Sequence, residues 1–385
     1  MKLPFKIFIS CTITLLLFIC NITVLNNLTE RKESRNKYYD FFEQKQNFDV
    51  LFLGSSHTIN AIYPMELWDD YGIVSYNLGG HGNRIPTTYA VLKEALLYTT
   101  PKLVVLDCFH VKSNRMYSDS IEQVHLSMDA FPLTIQKYKS LHELINDSKL
   151  EMEFLWPFVT YHNRWDSLTP EDFNPIPSVE KGAEIKVGIA TPNPISSVSP
   201  DSKLTDNTTG IIYLRKIIEL CQKNNINILL TYFPFPSNTE EQMEANRIYD
   251  IAQEYNINYI NFLDTNNIVD YSTDCLDPGS HLNAAGGKKV SSYIGKYIIS
   301  HYPIADRRQD SHYSFWNDDY MLYLQYKIHL LKIQNTLTNY LMLLEDNDFT
   351  YNITNTNDLQ TISVFYNNKL VDKANFCNEQ RILDK

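Results

Sequence analysis

The sequence predicts an α/β protein built on a parallel sheet and carried behind an N-terminal apolar helix. Three observations support this. Short apolar runs ending in glycine or aspartate alternate with stretches of helical period, and most connections between them are short. Residues 7–25, "IFISCTITLLLFICNITVL", are 19 mostly apolar residues without a charge, just enough to span a bilayer as a helix. A hydrophobic content of 44% and a charged content of 21% over 385 residues are those of a globular chain with a sizeable core.

Lys2 and Lys6 precede the apolar run, and no small-residue cleavage pattern follows it. An uncleaved signal-anchor is therefore favoured over a removed signal peptide. The expected boundaries are a short cytoplasmic tail at 1–6, a transmembrane anchor at 7–26 and a stalk at 27–46. From residue 49, "DVLFLG" is a continuous apolar run, as in a strand buried on both faces. Residues 62–73 read as a helical connector and "VSYNLG" (74–79) as a second strand. Tyr89, Leu92, Ala95 and Leu96 share one face of a helix over 87–98, and "PKLVVLD" (101–107) is a third strand.

Residues 108–210 exceed an ordinary loop and read as an insertion forming part of a pocket or lid. It holds a helix near 134–144 and the aromatic-rich stretch 154–165. Alternation then resumes with helix 211–223, strand 226–233, helix 240–255, strand 257–262 and a helix presenting Val290, Ile294, Tyr297 and Ile298. Residues 47–302 are thus one α/β domain. Residues 303–385 read as a long amphipathic helix, 316–344, and a polar, Asn-rich tail with β-like "FTYNI" and "TISVFY".

A net charge of −11 and the lack of a basic stripe argue against a nucleic-acid partner. The cysteines at 11, 20, 108, 221, 275 and 377 show neither C-x-x-C nor zinc spacing with histidine, so no structural metal is expected. No cofactor is implied.

Open parallel sheets bind ligands at the carboxyl ends of their strands, so the polar groups there carry the candidate chemistry. The first strand ends in Gly54-Ser55-Ser56-His57 and the second in "NLGGHG" (77–82). Far along the chain, "DCLDPGSHLNAAGG" places Asp277 and His281 just before a helix. Serine, histidine and carboxylate at one sheet edge are the parts of an acyl-transfer site. Each also has a plainer reading. Ser56 can be a turn serine, and His281 a helix-start residue beside the capping Asn283. Asp277 can simply hold the "DPG" turn. Gly79, Gly80 and Gly82 can serve a tight loop. In "YHNRW", His162 and Arg164 either contact substrate or belong to a packed insertion in which the arginine pairs a carboxylate.

The blocks "GSS", "NLGGHG", "VVLDCFHVKSN" and "DPGSHLN", in that order, resemble the SGNH/GDSL hydrolase superfamily. The resemblance implies a flavodoxin-like three-layer parallel sheet. It implies Ser56 as nucleophile, His281 as base and Asp277 as its orienting acid, with Asp274 as the alternative acid. Gly82 is the implied oxyanion glycine, with Gly79 as the alternative. Three departures stand out. Ser55 replaces the aspartate of G-D-S. Asp277 lies one residue further from His281 than the family spacing. The third block lacks its asparagine, Asn114 coming too late, which leaves the Ser56 amide or His110 to complete the oxyanion hole.

More specifically, "DVLFLGSSH", "PMELWDDYGIVSYNLGGHG", "PKLVVLD", "YHNRW" and "GSHLNAAGGKKVSSYIGKYI" resemble membrane-anchored SGNH proteins that work beside membrane-bound O-acyltransferases on bacterial surface polymers, of the D-alanylation D and alginate acetylation kinds. That implies an extracytoplasmic serine esterase or O-acyltransferase acting on acyl, most simply acetyl, groups of a surface polysaccharide. Its implied partner is a membrane-bound O-acyltransferase, and His57, His81, His162 and Arg164 are candidate substrate contacts. The alternative from the same residues is an inactive SGNH-like domain serving as an anchored carbohydrate-binding or assembly subunit.

Overall fold

The chain's computed structural model describes residues 3–29, 35–44, 46–173, 178–264, 268–345, 348–356 and 359–382; parts of the expected stalk and tail lie outside them. The five apolar runs form β1 (Val50–Leu53), β2 (Ser75–Asn77), β3 (Leu103–Asp107), β4 (Asn227–Tyr232) and β5 (Asn258–Asn261). All pair in parallel, in the order β2-β1-β3-β4-β5.

The unbroken apolar runs follow from burial on both faces. Successive strand residues point to opposite sides. Val50, Phe52, Leu103, Val105 and Leu229 enter one core cluster with Leu67, Val290 and Ile294. Leu51, Leu53, Val104, Leu106 and Leu230 enter the other with Val91, Ile217 and Ile248. Each buried aliphatic side chain contributes roughly 1.5–3 kcal/mol, so neither face tolerates polar residues.

The covering helices are α1 (Leu3–Thr29), set apart from the sheet, then α2 (Ser56–Ala61), α3 (Pro64–Tyr71) and α4 (Ile85–Ala95). The insertion adds α5 (Ile121–Met128), α6 (Ile135–Leu144), α7 (Ser148–Leu155), α8 (Pro157–Tyr161) and α9 (Pro170–Phe173). The domain resumes with α10 (Thr209–Lys223), α11 (Thr239–Tyr255) and α12 (Ala284–His301). After β1 the chain adds β2 on one side and then crosses to β3 on the other. The carboxyl ends of β1 and β3 therefore frame a switch point, where such sheets hold ligands.

Three segments differ from the sequence reading. The insertion is far more helical than expected, and its longest described stretch without regular structure is residues 178–208. They form a strap along the carboxyl edge: Lys181 O accepts from Asn77 N at 3.0 Å, Cys275 O from Ala190 N at 3.0 Å and Ser237 O from Ser196 N at 2.9 Å. The stalk is not a free spacer, because Tyr38, Phe41 and Phe42 are buried and Tyr76 Oη donates to Lys37 O at 2.6 Å. The expected single helix 316–344 is two, α13 (Phe315–Ile333) and α14 (Leu337–Leu344). Thr336 caps the second by accepting from Asn339 N, which breaks the run.

The described part of the tail forms an antiparallel sheet, β6 (Thr350–Thr356), β7 (Leu359–Tyr366), β8 (Lys369–Cys377) and β9 (Gln380–Ile382). A buried charge network holds the extension to the domain. Glu66 of α3 accepts from Lys327 Nζ at 2.8 Å and Tyr323 Oη at 2.9 Å and pairs with Lys288, while Lys327 also reaches Asp348 at 2.6 Å.

Helix α1 is long and apolar enough to cross a membrane, and none of its 4–21 span is buried inside the protein. A signal sequence passes the same test.

Candidate active site

Ser55 and Ser56 have different tasks at the end of β1. The turn from β1 into α2 starts at Gly54, whose φ of +148° is one that side chains rarely adopt. A Cβ there would also meet Asp107 Cβ at 2.7 Å, so β1 and β3 close tightly under the turn. Ser55 is the N-cap of α2: its Oγ accepts from His57 N at 3.3 Å. Ser56 is the first helical residue, where the backbone N–H has no partner within the helix. Its Oγ, only partly buried, meets His281 Nε2 at 2.8 Å across 225 residues of sequence.

On the other side, His281 Nδ1 bonds to Asp277 Oδ2. Asp277 Oδ1 accepts from Ser280 N at 2.7 Å, Gly279 N at 3.1 Å and His281 N at 3.3 Å. The longer Asp–His spacing is thus taken up by a carboxylate that folds its own turn and grips the imidazole. Partial burial pushes the Asp277 carboxyl up, but the His281 bond and the turn amides outweigh it and hold the group below its usual range. Asp274, the alternative acid, is engaged elsewhere: its oxygens accept from Lys289 Nζ at 2.8 and 2.9 Å. The helix start needs nothing from His281, since Asn283 caps α12 by accepting from Gly286 N.

The glycine loop after β2 abuts the same turn. Asn77 Nδ2 donates to Thr58 O and Ile62 O, both at 2.8 Å, tying the loop to α2. Its Oδ1 accepts from Gly79 N at 3.0 Å, and Gly80 N donates to Gly54 O at 3.0 Å, so both amides are committed. The Gly82 amide has no hydrogen-bond partner among the described residues. Gly82 sits at φ +64°, and a Cβ there would meet Ser118 Oγ at 3.0 Å. Of the two candidate glycines, Gly82 is thus the one whose amide is uncommitted among the described residues.

Rings wall the site. His57 stacks on Phe109 at 4.0 Å between centroids, lies 4.7 Å from Phe235 and meets His281 edge-on at 5.7 Å. His57 is buried, and its Nδ1 has no hydrogen-bond partner among the described residues. Burial, then the neighbouring His281 and His110, pushes its pKa well below the usual histidine range, so the ring stays neutral against Phe109 and Phe235. His110, just past β3, takes Arg84 Nη1 on its Nδ1 at 2.6 Å. A guanidinium only donates, so the neutral ring carries its proton on Nε2. Burial lowers its pKa to about 3. Asn114 lies elsewhere, its Oδ1 accepting from Thr209 N at 3.1 Å. Asp107, under the turn, is pushed up to about 7 by burial, against the bonds its carboxylate accepts from the Phe233 and Phe109 amides.

The remaining candidates stand apart from the triad. His81 Nε2 pairs with Glu184 Oε1 at 2.9 Å on a cavity of about 430 Å³ that also borders Lys37, Gly80 and Lys186. His162 bonds to Val159 O at 3.2 Å, and Arg164 to Asp172 at 3.0 Å, both in the helical insertion. The arginine thus takes the carboxylate pairing that the sequence allowed. Asn77, Phe109 and Phe235 were missed by the motif reading, although each follows or ends a strand on the carboxyl edge. Among the described residues no group of three or more His, Cys, Asp or Glu is placed to hold a metal ion.

No family model and no curated protein matches the chain. It is similar to a solved structure from Bacteroides fragilis, assigned as an acylhydrolase, at 13% identity and a TM-score of 0.34, over 68% of this chain and 94% of that one.

Proposed function

We propose that the chain is a membrane-anchored SGNH-type serine esterase or O-acyltransferase acting on acyl groups of a cell-surface polymer. The observation that carries this reading is the Ser56–His281–Asp277 hydrogen-bonded series, assembled from segments 225 residues apart at the switch point of the sheet. The strand order, which flavodoxin-like sheets share, supports the SGNH architecture.

In the first half-reaction, Ser56 Oγ attacks an acyl carbonyl while His281 Nε2 takes its proton. Asp277 holds the tautomer with the proton on Nδ1 and stabilises the imidazolium. In this reading the Ser56 and Gly82 amides are the oxyanion donors, each worth roughly 3 kcal/mol. The imidazolium returns its proton to the leaving alkoxide. In the second half-reaction, water or a sugar hydroxyl loses a proton to His281 as it attacks the acyl-enzyme, and Ser56 leaves with that proton. An anchor at α1 suits an acyl donor presented at a membrane, so a membrane-bound O-acyltransferase is the natural partner and the α/β domain is extracytoplasmic in this reading. His57, stacked on Phe109, lines the site beside His281.

The test is acetate release from a small acetyl ester by the full chain in detergent. Turnover that Ser56→Ala abolishes supports the reading. Equal rates for wild type and variant contradict it and leave the inactive binding-module alternative.

A further inference from the structure

The largest exposed apolar side chains outside α1 cluster in one stretch of sequence. Ile135 is 76% exposed, Leu133 75%, Trp165 69%, Phe173 66% and Trp156 53%. Leu133 and Ile135 lie at the start of α6, Trp156 joins α7 to α8, Trp165 lies in the 3₁₀ turn His162–Asp166 and Phe173 ends α9. The rings of Trp156 and Phe158 lie 6.0 Å apart, and Phe158 lies 5.9 Å from His162. Soluble surfaces carry single apolar residues, but such a gathering marks an interaction surface.

What covers it follows from its neighbour. Helices α8 and α9 and the 3₁₀ turn between them lie against α1, the helix long and apolar enough to cross a membrane. An element beside a spanning helix has two environments available, hydrocarbon and the headgroup layer. Hydrocarbon is closed to this one, because its turn carries His162, Arg164 and Asp166 and its short helices leave backbone groups unpaired. The headgroup layer is where amphipathic rings such as tryptophan gather. Arg164 is paired with Asp172, so no strong positive charge draws the segment to anionic lipid.

We propose that residues 156–173 are a membrane-interface element, with Trp156, Trp165 and Phe173 seated in the headgroup layer of the bilayer that α1 crosses. The occupant of this surface is lipid. The inference rests on the anchor part of the proposed function and is independent of the catalytic part. Its consequence is that the α/β domain is held to the bilayer at two points, α1 and the insertion, and has a set orientation toward it.

The chain's own tryptophans supply the test. Trp68 and Trp316 are 1% and 0% exposed and serve as internal controls. The full chain is reconstituted in phosphatidylcholine vesicles in which part of the lipid carries bromine near the glycerol end of its acyl chains. Bromolipid is expected to quench the wild type, and the quenched fraction to fall at least about five-fold in the conservative Trp156→Phe/Trp165→Phe double variant. Quenching should be unchanged by salt or by added anionic lipid, since charge is not the attraction. Protein that floats with the vesicles, yet is quenched by aqueous acrylamide and not by bromolipid, overturns the proposal and leaves the anchor standing. Emission from the tryptophan pair reached by neither quencher also overturns it, because a protein partner then covers the surface. Protein that does not float overturns both readings.

Discussion

Two of the places where aromatic side chains gather in this molecule are opposite in exposure. At the carboxyl edge of the sheet, Phe109 and Phe235 pack on the ring of His57, which in turn meets His281 edge-on, with His57 and Phe235 buried. In the insertion, Trp156, Trp165 and Phe173 stand out from short helices beside α1. Ring content is similar, so composition does not separate them; support does. The first set hangs from the ends of parallel strands and is closed over by the strap 178–208, whose backbone bonds to three separate loops. The second hangs from helices of four to eight residues and has no strand behind it. Rings in the first place pack into the protein beside the site, and rings in the second are free to meet another phase.

That contrast can be broken by substitution. Ser56→Ala, at the edge, is expected to lower turnover by about 10⁴-fold or more while leaving the melting temperature unchanged, because it removes the nucleophile and no packing. Asp277→Asn is expected to cost about 10²–10⁴-fold in kcat, since the amide presents the wrong group to His281 Nδ1 and the turn amides can still be satisfied; steady-state kinetics across pH reads this. Trp316→Ala is expected to cost about 3–5 kcal/mol of stability by denaturant unfolding, whereas Trp165→Ala in detergent stays within about 0.5 kcal/mol. If the two tryptophans cost the same, the division into packed and lipid-facing rings fails.

The smallest effect concerns pH. Burial raises the Glu244 carboxyl to about 7, against the bond its Oε1 accepts from Lys112 N at 3.3 Å. The folded state therefore holds a proton that the unfolded chain, with an ordinary glutamate, releases. This contribution is fully present below the usual glutamate range and is lost as pH rises through about 7. Glu244→Gln keeps the acceptor and removes the titration. Relative to wild type it is expected to gain roughly 1 kcal/mol per unit of that shift between about pH 5 and pH 8, read as a urea midpoint. A parallel pH profile for variant and wild type contradicts the assignment.

Strands β1 and β3 were legible because burial on both faces leaves unbroken apolar runs, "VLFL" and "LVVL"; β2 and β5, with polar residues at both ends, were legible from their place in the alternation with helices. The candidate site was legible for a related reason: Ser56, Asp277 and His281 sit in turns at strand or helix boundaries, where polar groups stand out against apolar neighbours. The choice of Ser56 over Ser55 became physical only once Ser55 was seen to cap α2. Of the C-terminal sheet, β6 and β7 were legible as the β-like "FTYNI" and "TISVFY", whereas β8, β9 and the pairing were not read. One local signal was present. Asn367 and Asn368 form the two-residue loop between β7 and β8, and both adopt positive φ, 49° and 60°, as such hairpin turns require. Of the insertion's helices, α6 was read at 134–144; α5 and α7 to α9 escaped notice because each has eight residues or fewer and its form is decided by packing that periodicity does not reveal.

The most direct measurement is the site of covalent labelling by a fluorophosphonate. A serine activated by His281 reacts through its alkoxide, so peptide mass spectrometry of the treated full chain is expected to place one adduct on Ser56. Ser55→Ala should still label, and Ser56→Ala and His281→Ala should not. An adduct on Ser55, or a chain that takes up no label while its fold is intact, contradicts the assignment of Ser56 as the nucleophile.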